Sequence, residues 1–410
     1  MDGMTPKKAA TDEEKIKDPA FVAPEVLASE DNTTTPVDPA TVKTTGNKQN
    51  WFQRMPRKKK LLIFIPTGVV LLAVAATVGI LTTRKKPEPV KPAAPVVVKQ
   101  EEPPKPTTVA GKLTGVQISP ELNQRGVTGV MIENSIDARP QSGLLDAGIV
   151  YEAIAEGGIT RFLALYQDAQ PDYIGPVRSA RPYYINWLLP YNASYMHIGG
   201  SAEALVMIPK LGIRDMGENG KDNPIQRIST RYAPHNAYTS MAKMDAVRAN
   251  RGWGNPDFPS LKRKADTPSK TPTDTSIDFR ISSTAFYVHY DYDASTNSYK
   301  RSEGGAPHTD EKTAKQLNPK VVVALIIPYS INADDIHSDY AMIGSGQAII
   351  YQDGVKQDVR WSKPSANDPL VLQDAAGNPV PINAGQTWFT ALGQASLITA
   401  TGPPAAPAGQ

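Results

Sequence analysis

A histidine, two glycines and a serine stand together in YMHIGGSAEAL, residues 195–205, and these residue types could support nucleophilic catalysis. Ser201 could act as a nucleophile, with His197 or His235 as its base and a glutamate orienting that base. The serine, however, lies in Gly-Gly-Ser-Ala-Glu and lacks the Gly-x-Ser-x-Gly pattern of a nucleophile elbow. The stretch therefore favours another use of the same residues.

That other use is anion binding at the start of a helix. Gly199 and Gly200 are typical of a tight turn, and Ser201 is typical of the N-cap of the helix AEALVMIPKLG. Free N–H groups at a helix start bind phosphate or carboxylate, and Arg178 and Arg181 could add bidentate contacts. A structural alternative stays open, in which the glycines form the turn, the serine caps the helix, and the arginines pair with acidic residues.

Further charged residues lie on a predicted β-hairpin. Two strand-like runs flank Gly157-Gly158 in IVYEAIAEGGITRFLALYQ, which is a hairpin signal. A two-residue loop would pair Arg161 with Ile154 and place Arg161 diagonally between Glu152 and Glu156 on one face. This group is either a surface ion-pair ladder or a ligand-facing patch, and both alternatives stay open.

Acid–base catalysis is the alternative to binding. His235 lies in the loop STRYAPHNAYTS, outside the Gly-Gly-Ser stretch. In a hydrolase or transferase, His197 or His235 would be the general base, and Glu152 or Glu156 would be its partner or a second acid. The sequence alone does not bring these residues together.

Metal and cofactor sites have little support in the sequence. The five histidines are scattered, and no pair has the spacing of a helical zinc motif. DYDASTN begins like a calcium loop, but it lacks glycine at the sixth position and glutamate at the twelfth. The chain has no cysteine, which excludes disulfides and thiolate ligands. We therefore expect no metal and no cofactor.

An uncharged apolar run, LLIFIPTGVVLLAVAATVGIL at residues 61–81, is about as long as the ~20 residues that cross a hydrocarbon core. Basic residues flank it, and a Pro- and Lys-rich stretch typical of an extended spacer follows. These features predict a single-pass protein of the cell membrane, with a cytoplasmic N-terminus and extracellular C-terminal domains. The net charge of +3 over 410 residues indicates no nucleic-acid partner.

The rest of the chain divides by composition and pattern. The fold class expected is an α/β (or α+β) N-terminal exported domain with a smaller, mostly-β C-terminal domain, on a single transmembrane helix. The predicted boundaries are a disordered tail (1–60), the transmembrane helix (61–81), a Pro-rich linker (82–110), the α/β domain (111–256), a low-complexity linker (257–276), the β-rich domain (277–400) and a disordered tail (401–410).

Several long strings resemble a known family. GVMIENSIDARPQSGLLDAGIVYEAIAEGGITRFLALYQ, IGPVRSARPYYINW and MHIGGSAEAL resemble the N-terminal domain of the YerB-like lipoprotein family of bacteria. NSYKRSEGGAPHTD and GSGQAIIYQDGVKQDVRWSKPS resemble its C-terminal domain, and the resemblance spans roughly residues 110–395. It implies an envelope protein of two domains but brings no established activity or catalytic residues. This chain has no cysteine to lipidate, so a membrane-spanning helix is expected in place of the lipid.

We therefore expect a membrane-anchored, extracytoplasmic envelope protein that binds an anionic ligand, such as a glycopolymer phosphate or a peptide carboxylate. The predicted ligand-binding residues are Arg161, Arg178, Arg181, His197, Gly199, Gly200 and Ser201. The alternatives are an envelope hydrolase or transferase, and a structural module that docks an envelope protein. A binder or enzyme requires these residues to converge in one pocket, whereas a docking module leaves them dispersed and salt-bridged.

Overall fold

The computed structural model describes residues 107–218, 222–332 and 336–403, and these belong to one compact unit. The predicted tail 1–60, the predicted transmembrane helix 61–81 and nearly all of the predicted linker 82–110 lie outside the described residues. Within the described part, no helix has the length and apolar character needed to cross a membrane. The membrane-spanning helix therefore stays a prediction.

The described residues are mostly β-structure with a few short helices. The α-helices are α1 (Pro120–Asn123), α2 (Pro182–Leu188), α3 (Ala202–Lys210) and α4 (Met241–Asn250). The earlier strands are β1 (Val109–Ala110), β2 (Gln117–Ile118), β3 (Thr128–Glu133), β4 (Ile149–Glu156), β5 (Ile159–Tyr166), β6 (Ser194–Met196), β7 (Arg214–Asp215), β8 (Gln226–Arg227), β9 (Ala237–Tyr238) and β10 (Arg263–Lys264). The later strands are β11 (Ser276–Arg280), β12 (Tyr287–Asp293), β13 (Ser298–Glu303), β14 (Ala306–Pro307), β15 (Val321–Ile326), β16 (Tyr329–Ile331), β17 (Ser338–Tyr340), β18 (Gly344–Gln352), β19 (Val355–Lys363), β20 (Val371–Gln373), β21 (Ile382–Asn383), β22 (Thr387–Leu392) and β23 (Ile398–Thr401).

One ten-stranded sheet contains strands from both predicted domains, in the order β20-β19-β18-β15-β22-β4-β5-β3-β6-β7. Strand β22, from near the C-terminus, lies between β15 and β4 and runs parallel to both. Its neighbour β15 reads VVVALI and is almost wholly buried, as expected for a strand covered on both faces. The two predicted domains therefore share a continuous sheet, with β22 as the joining strand.

A five-stranded sheet, β14-β13-β12-β11-β23, packs against this large sheet. Side chains of β11 alternate between buried and more exposed positions, so that Ile277 and Phe279 point into the core. They belong to the same apolar cluster as Val323 of β15 and Ile350 of β18. The smaller sheet is thus held by a shared core.

The stretch 257–276, expected as a low-complexity linker, is packed against both regions of sequence. Its strand β10 pairs in parallel with β21. The guanidinium group of Arg263 donates hydrogen bonds to the carbonyl oxygens of Leu113, at 2.6 Å, and Asn383, at 3.0 Å. This segment therefore connects the beginning and the end of the described chain.

The helix predicted after Ser201, with that serine as its N-cap, is confirmed. Helix α3 begins directly after Ser201, whose Oγ accepts a hydrogen bond from the N–H of Ala204 at 3.3 Å. The run MAKMDAVRAN forms α4, and Ser240 caps it in the same way. Strands β18 and β19 form a hairpin whose turn lies at Asp353-Gly354.

The predicted register of the β4–β5 hairpin is wrong. The turn lies at Gly157-Gly158 as predicted, but a β-bulge at Ala155 shifts the pairing by one residue. Because side chains alternate along a strand, the extra residue sends Glu152 and Glu156 to opposite faces of the sheet. Arg161 therefore pairs with Glu156 alone, and the predicted trio with Glu152 does not form.

A fully buried ion pair joins the two sheets. Arg301 of β13 donates two hydrogen bonds to the carboxylate of Glu152 of β4, at 2.9 and 3.0 Å, and neither side chain is exposed. Trp388 of β22 donates its Nε1–H to the same carboxylate at 2.9 Å. Burial opposes the cation, but Glu152 and Glu303 outweigh it and raise the pKa of Arg301. The arginine therefore stays charged.

We predict that Arg301→Met destabilises the fold by about 3–5 kcal/mol, because it leaves two buried carboxylates without their cation. Arg280→Met is the matched control, since Arg280 lies on strand β11 of the same sheet but is exposed, and its effect should stay within about 0.5 kcal/mol. Urea unfolding of residues 107–403 measures both changes. Equal effects would show that the buried pair does not hold the two sheets together.

Candidate functional site

The polar residues singled out by sequence gather at one edge of the large sheet. Strands β3, β4 and β6 run in the same direction, because β5 pairs antiparallel with both β3 and β4, and β6 pairs in parallel with β3. Their carboxyl ends therefore meet at one edge, where Glu133 ends β3, Glu156 ends β4 and His197 follows β6. Within this edge the residues form three separate clusters.

The first cluster centres on Glu156. Arg161 donates from Nη2 to one carboxylate oxygen at 2.6 Å, and Arg181 donates to the other. Burial favours the neutral acid, but the two guanidinium groups outweigh it and lower the pKa of Glu156. Arg161 also donates to the carbonyl oxygen of Ser179 at 2.9 Å. Both arginines are thus largely occupied by the protein itself.

A cavity of about 250 Å³ lies beside this cluster, at the start of α3. Its lining includes Arg181 and Ser201, so the structure brings these two predicted residues together. Glu203 and Asp339 line the same cavity. Their negative charges oppose the binding of an anion there.

The second cluster contains His197, which is buried. Its Nδ1 lies 2.7 Å from the carbonyl oxygen of Gly199, and its Nε2 lies 3.0 Å from Oδ1 of Asp215. Burial raises the pKa of Asp215, but hydrogen bonds from His197 and the Gly217 N–H outweigh it and lower that pKa. Both ring nitrogens therefore support the turn, and neither faces a ligand.

The Gly199-Gly200-Ser201 turn is joined to the preceding arginine segment by backbone hydrogen bonds. The Ala180 N–H donates to Gly199 at 3.0 Å, and the Ser201 N–H donates to Ala180 at 3.2 Å. Gly199 has φ +60°, a conformation that favours glycine. With its hydroxyl group capping α3, Ser201 has the structural role that the sequence left open.

The third cluster centres on Glu133, which is nearly buried, with 4% of its side chain exposed. Its Oε2 lies 3.0 Å from Nδ1 of His235, and its Oε1 lies 3.1 Å from Nε of Arg178. Ser135 donates its hydroxyl hydrogen to Oε1 at 2.9 Å. One carboxylate therefore contacts both a histidine and an arginine, and the arginine contact is an ion pair without hydrogen-bond geometry.

The outer ends of these two side chains have no protein partner in the described ranges. His235 bonds only through Nδ1, which leaves Nε2 available, and its side chain is 21% exposed. Arg178 meets Glu133 through Nε only, which leaves both terminal nitrogens available, and it is 26% exposed. This pair is the best-placed group at the edge to contact a ligand.

Two loops position the pair. Arg231 holds the His235 loop against the segment after β3 by donating to the carbonyl oxygens of Asp137, at 3.1 Å, and Pro140, at 2.8 Å. The segment carrying Arg178 runs beside β3, where the Arg178 N–H donates to Met131 at 2.9 Å. Sequence analysis named both Arg178 and His235, but it missed the glutamate that joins them.

A second cavity of about 250 Å³ is mainly apolar and lies away from all three clusters, beside β20 and β21. Its lining includes Leu261, Leu370, Leu372, Val380 and Ile382, and it contains no carboxylate, histidine or arginine. Lys262 is the one charged residue in its lining, so the cavity is better suited to an apolar ligand than to a charged one. Among the described residues, no three histidine or acidic side chains are placed to hold a metal ion.

Comparisons with known proteins agree with this architecture. The family described as "Protein of unknown function (DUF3048) N-terminal domain" matches residues 113–254, and its C-terminal domain matches residues 277–389. "Putative lipoprotein YerB" of Bacillus subtilis (strain 168) is 29% identical over 283 residues, which are 68% of this chain and 84% of that protein. A crystal structure of YerB from B. subtilis has a TM-score of 0.66 at 26% identity, covering 72% of this chain and 99% of that chain.

The chain belongs to the DUF3048 family. The resemblance to YerB-like lipoproteins is thereby confirmed, and so is the organisation into an N-terminal and a C-terminal family region. Glu133, Arg178 and His235 all lie in the DUF3048 N-terminal region. The two DUF3048 regions are not separate bodies, since strands of both pair in the ten-stranded sheet.

A buried polar network links the two DUF3048 regions behind the third cluster. Glu303 accepts a hydrogen bond from Nη1 of Arg301 at 3.0 Å and one from Asn134, the neighbour of Glu133, at 2.6 Å. His308 donates from Nε2 to Gln141 at 2.8 Å and contacts Arg301 through Nδ1. Glu152, a catalytic candidate in the sequence, is buried within this network and faces no ligand.

His308 is neutral in the folded protein. Burial, together with the nearby guanidinium groups of Arg301 and Arg139, lowers its pKa well below the ordinary value of 6.5. Below that pH the unfolded chain binds a proton that the folded chain refuses. Above pH 6.5 the neutral His308 therefore costs the folded protein nothing. As the pH falls below 6.5, proton uptake by the unfolded chain lowers the free energy of unfolding.

We predict that wild-type protein loses stability faster than His308→Gln between pH 6.5 and 5, by up to about 1.4 kcal/mol per pH unit. Urea unfolding across this range measures the difference. His289→Gln is the matched control, because Asp278 and Asp291 outweigh partial burial and raise the pKa of His289. Its substitution should change the pH dependence in the opposite sense. Parallel curves for wild type and His308→Gln would contradict the prediction.

Proposed function

We propose that this DUF3048 protein is an envelope-associated binding protein that holds an anionic group between Arg178 and His235. The observation that carries the proposal is the pair of outer ends, the Arg178 terminal nitrogens and the His235 Nε2, which have no partner in the described ranges. Both are fixed by the nearly buried Glu133. An anion bound there receives hydrogen bonds from the guanidinium group of Arg178, beside the imidazole ring of His235.

Charge and order both support binding at this cluster. The guanidinium group of Arg178 contacts Glu133 through Nε alone, so its two terminal nitrogens still offer charged donors to an anion. Because the carboxylate already holds both side chains, a ligand does not have to order them, which lowers the entropic cost of binding. The predicted residues Arg161 and Arg181 are less suitable, since they share the carboxylate of Glu156.

The relatives and the sequence support an envelope setting. The B. subtilis relative bears the name of a lipoprotein. This chain has no cysteine for lipidation, and its apolar residues 61–81 would serve as a single-pass anchor with the described domains outside the cell. The anion would then be a cell-wall polymer phosphate or a peptide carboxylate.

Protein docking is the second candidate, and two exposed apolar side chains favour it. Ile136 is 64% exposed and Tyr232 is 91% exposed. Each lies in one of the two loops that Arg231 ties together beside His235. A partner protein with an acidic side chain would contact the arginine and both apolar groups.

We predict that inorganic phosphate raises the thermal stability of residues 107–403 in a saturable way, and that Arg178→Ala weakens its binding by about 10- to 150-fold. That range corresponds to the ~1.5–3 kcal/mol of a hydrogen bond to a charged group. Thermal-shift titrations with phosphate and with acetate measure the effect and compare the two kinds of anion. The fragment is suitable because the solved B. subtilis relative covers this region with 99% of its own chain.

Arg280→Ala is the matched control, since Arg280 is an exposed arginine without a partner in the described part of the chain. It should leave the titration unchanged. Circular dichroism checks that each variant is folded. An equal response of wild type and a folded Arg178→Ala would refute binding at this cluster, and a response to neither anion would favour docking.

A further inference from the structure

We infer that Glu133 and His235 form a proton-transfer pair that hydrolyses a phosphodiester held by Arg178. The inference rests on the proposed anion binding at the same cluster and adds a reaction to it. Its structural basis is the way in which the histidine is held.

His235 has the geometry of a general base. The carboxylate of Glu133 lies 3.0 Å from Nδ1 and is almost fully shielded from solvent, so Nδ1 carries the hydrogen. In the neutral ring, Nε2 then has a free lone pair, and the side chain is partly exposed. A buried carboxylate in this position fixes the tautomer and stabilises the imidazolium that forms on proton uptake.

Three other histidines lack this arrangement. His197 contacts Gly199 and Asp215 through its two nitrogens, and His308 contacts Arg301 and Gln141. His289 lies between Asp278 and Asp291, at 2.8 and 3.0 Å. In each of these rings both nitrogens are occupied, whereas His235 combines an orienting carboxylate with an available nitrogen.

The geometry selects water rather than serine as the attacking group. Ser135 lies near His235, but its Oγ is 3.4 Å from Nδ1 and donates to Glu133 instead. It is therefore on the wrong side of the ring to lose its proton to Nε2. A water molecule at Nε2 faces no such obstacle.

The anion held by Arg178 must itself be the reacting group, because one carboxylate places the arginine and the base side by side. A carboxylate ligand offers no bond at its anionic centre that simple hydrolysis cleaves. A phosphodiester does, and it keeps two non-bridging oxygens for the terminal nitrogens of Arg178. The substrate class is therefore a phosphodiester, such as the backbone linkage of a polyanionic glycopolymer.

The reaction balances without a further reactant. His235 Nε2 takes a proton from water while the water oxygen forms a bond to phosphorus. The bond from phosphorus to one ester oxygen breaks, and its electron pair leaves with that oxygen. The leaving oxygen, opposite the attacking water, takes a proton from solvent, and the imidazolium returns its proton to solvent. The products are an alcohol and a phosphomonoester, and Arg178 stabilises the charge on the non-bridging oxygens.

The test uses residues 107–403 and bis(4-nitrophenyl) phosphate as the probe, with phosphate binding measured in parallel. We expect wild type to release nitrophenol, and His235→Gln to reduce the rate by at least about 10²-fold while phosphate binding changes only a few-fold, since Arg178 remains. Arg178→Ala should reduce both. His289→Gln, the matched control, should change neither.

Glu133→Gln tests the positioning role of the carboxylate. It should lower the rate and displace the acid limb of the pH–rate profile to lower pH, because a neutral amide stabilises the imidazolium less. An unchanged pH–rate profile in a folded, phosphate-binding Glu133→Gln variant would overturn the assignment of Glu133 and His235 as a proton-transfer pair. Phosphate binding by wild type with no turnover above that of His235→Gln would overturn hydrolysis and leave the proposed binding standing. Absence of phosphate binding would overturn both the proposed binding and the hydrolysis that rests on it.

Discussion

The ion pair between Glu152 and Arg301 is the constraint on which the rest of the structure depends. Two charges without solvent contact are costly to bury, and the pair is tolerated because Trp388 also donates to Glu152 and Glu303 also accepts from Arg301. Three strands meet at this point, one from the smaller sheet and two from the larger. The network then reaches Asn134, next to Glu133, so the same buried polar chain supports the end of β3.

One inserted residue decides which glutamate serves which purpose. Without the bulge at Ala155, Glu152 and Glu156 would project from the same face of β4. With it, Glu152 enters the interior to meet Arg301, and Glu156 stays at the edge to neutralise two arginines. This neutralisation leaves Arg178 as the arginine best placed to contact a ligand.

Local structure, such as the capping of helices, could be predicted from the sequence. Ser201 and Ser240 cap helices because a hydroxyl group there accepts a backbone hydrogen bond, whatever the tertiary context. The bulge could not be predicted, because Arg301, the partner that Glu152 meets as a result, lies 149 residues away in the sequence. The partner of His235 was missed for a similar reason, since Glu133 precedes it by 102 residues. A signal for the buried network did exist, because Arg301 and Glu303 share the face of Tyr299, whose aromatic ring marks that face as buried.

The central position of β22 affects how the chain folds while it is being synthesised. Ribosomes deliver the N-terminal strands first, yet β4 obtains its neighbour on one side only from residues 387–392. Until then β4 presents an open, apolar strand edge, which is the kind of surface that pairs with other chains. Completion of the sheet therefore waits for almost the whole polypeptide, and a chain truncated shortly before β22 would lose the strand that unites its two regions and become prone to aggregation.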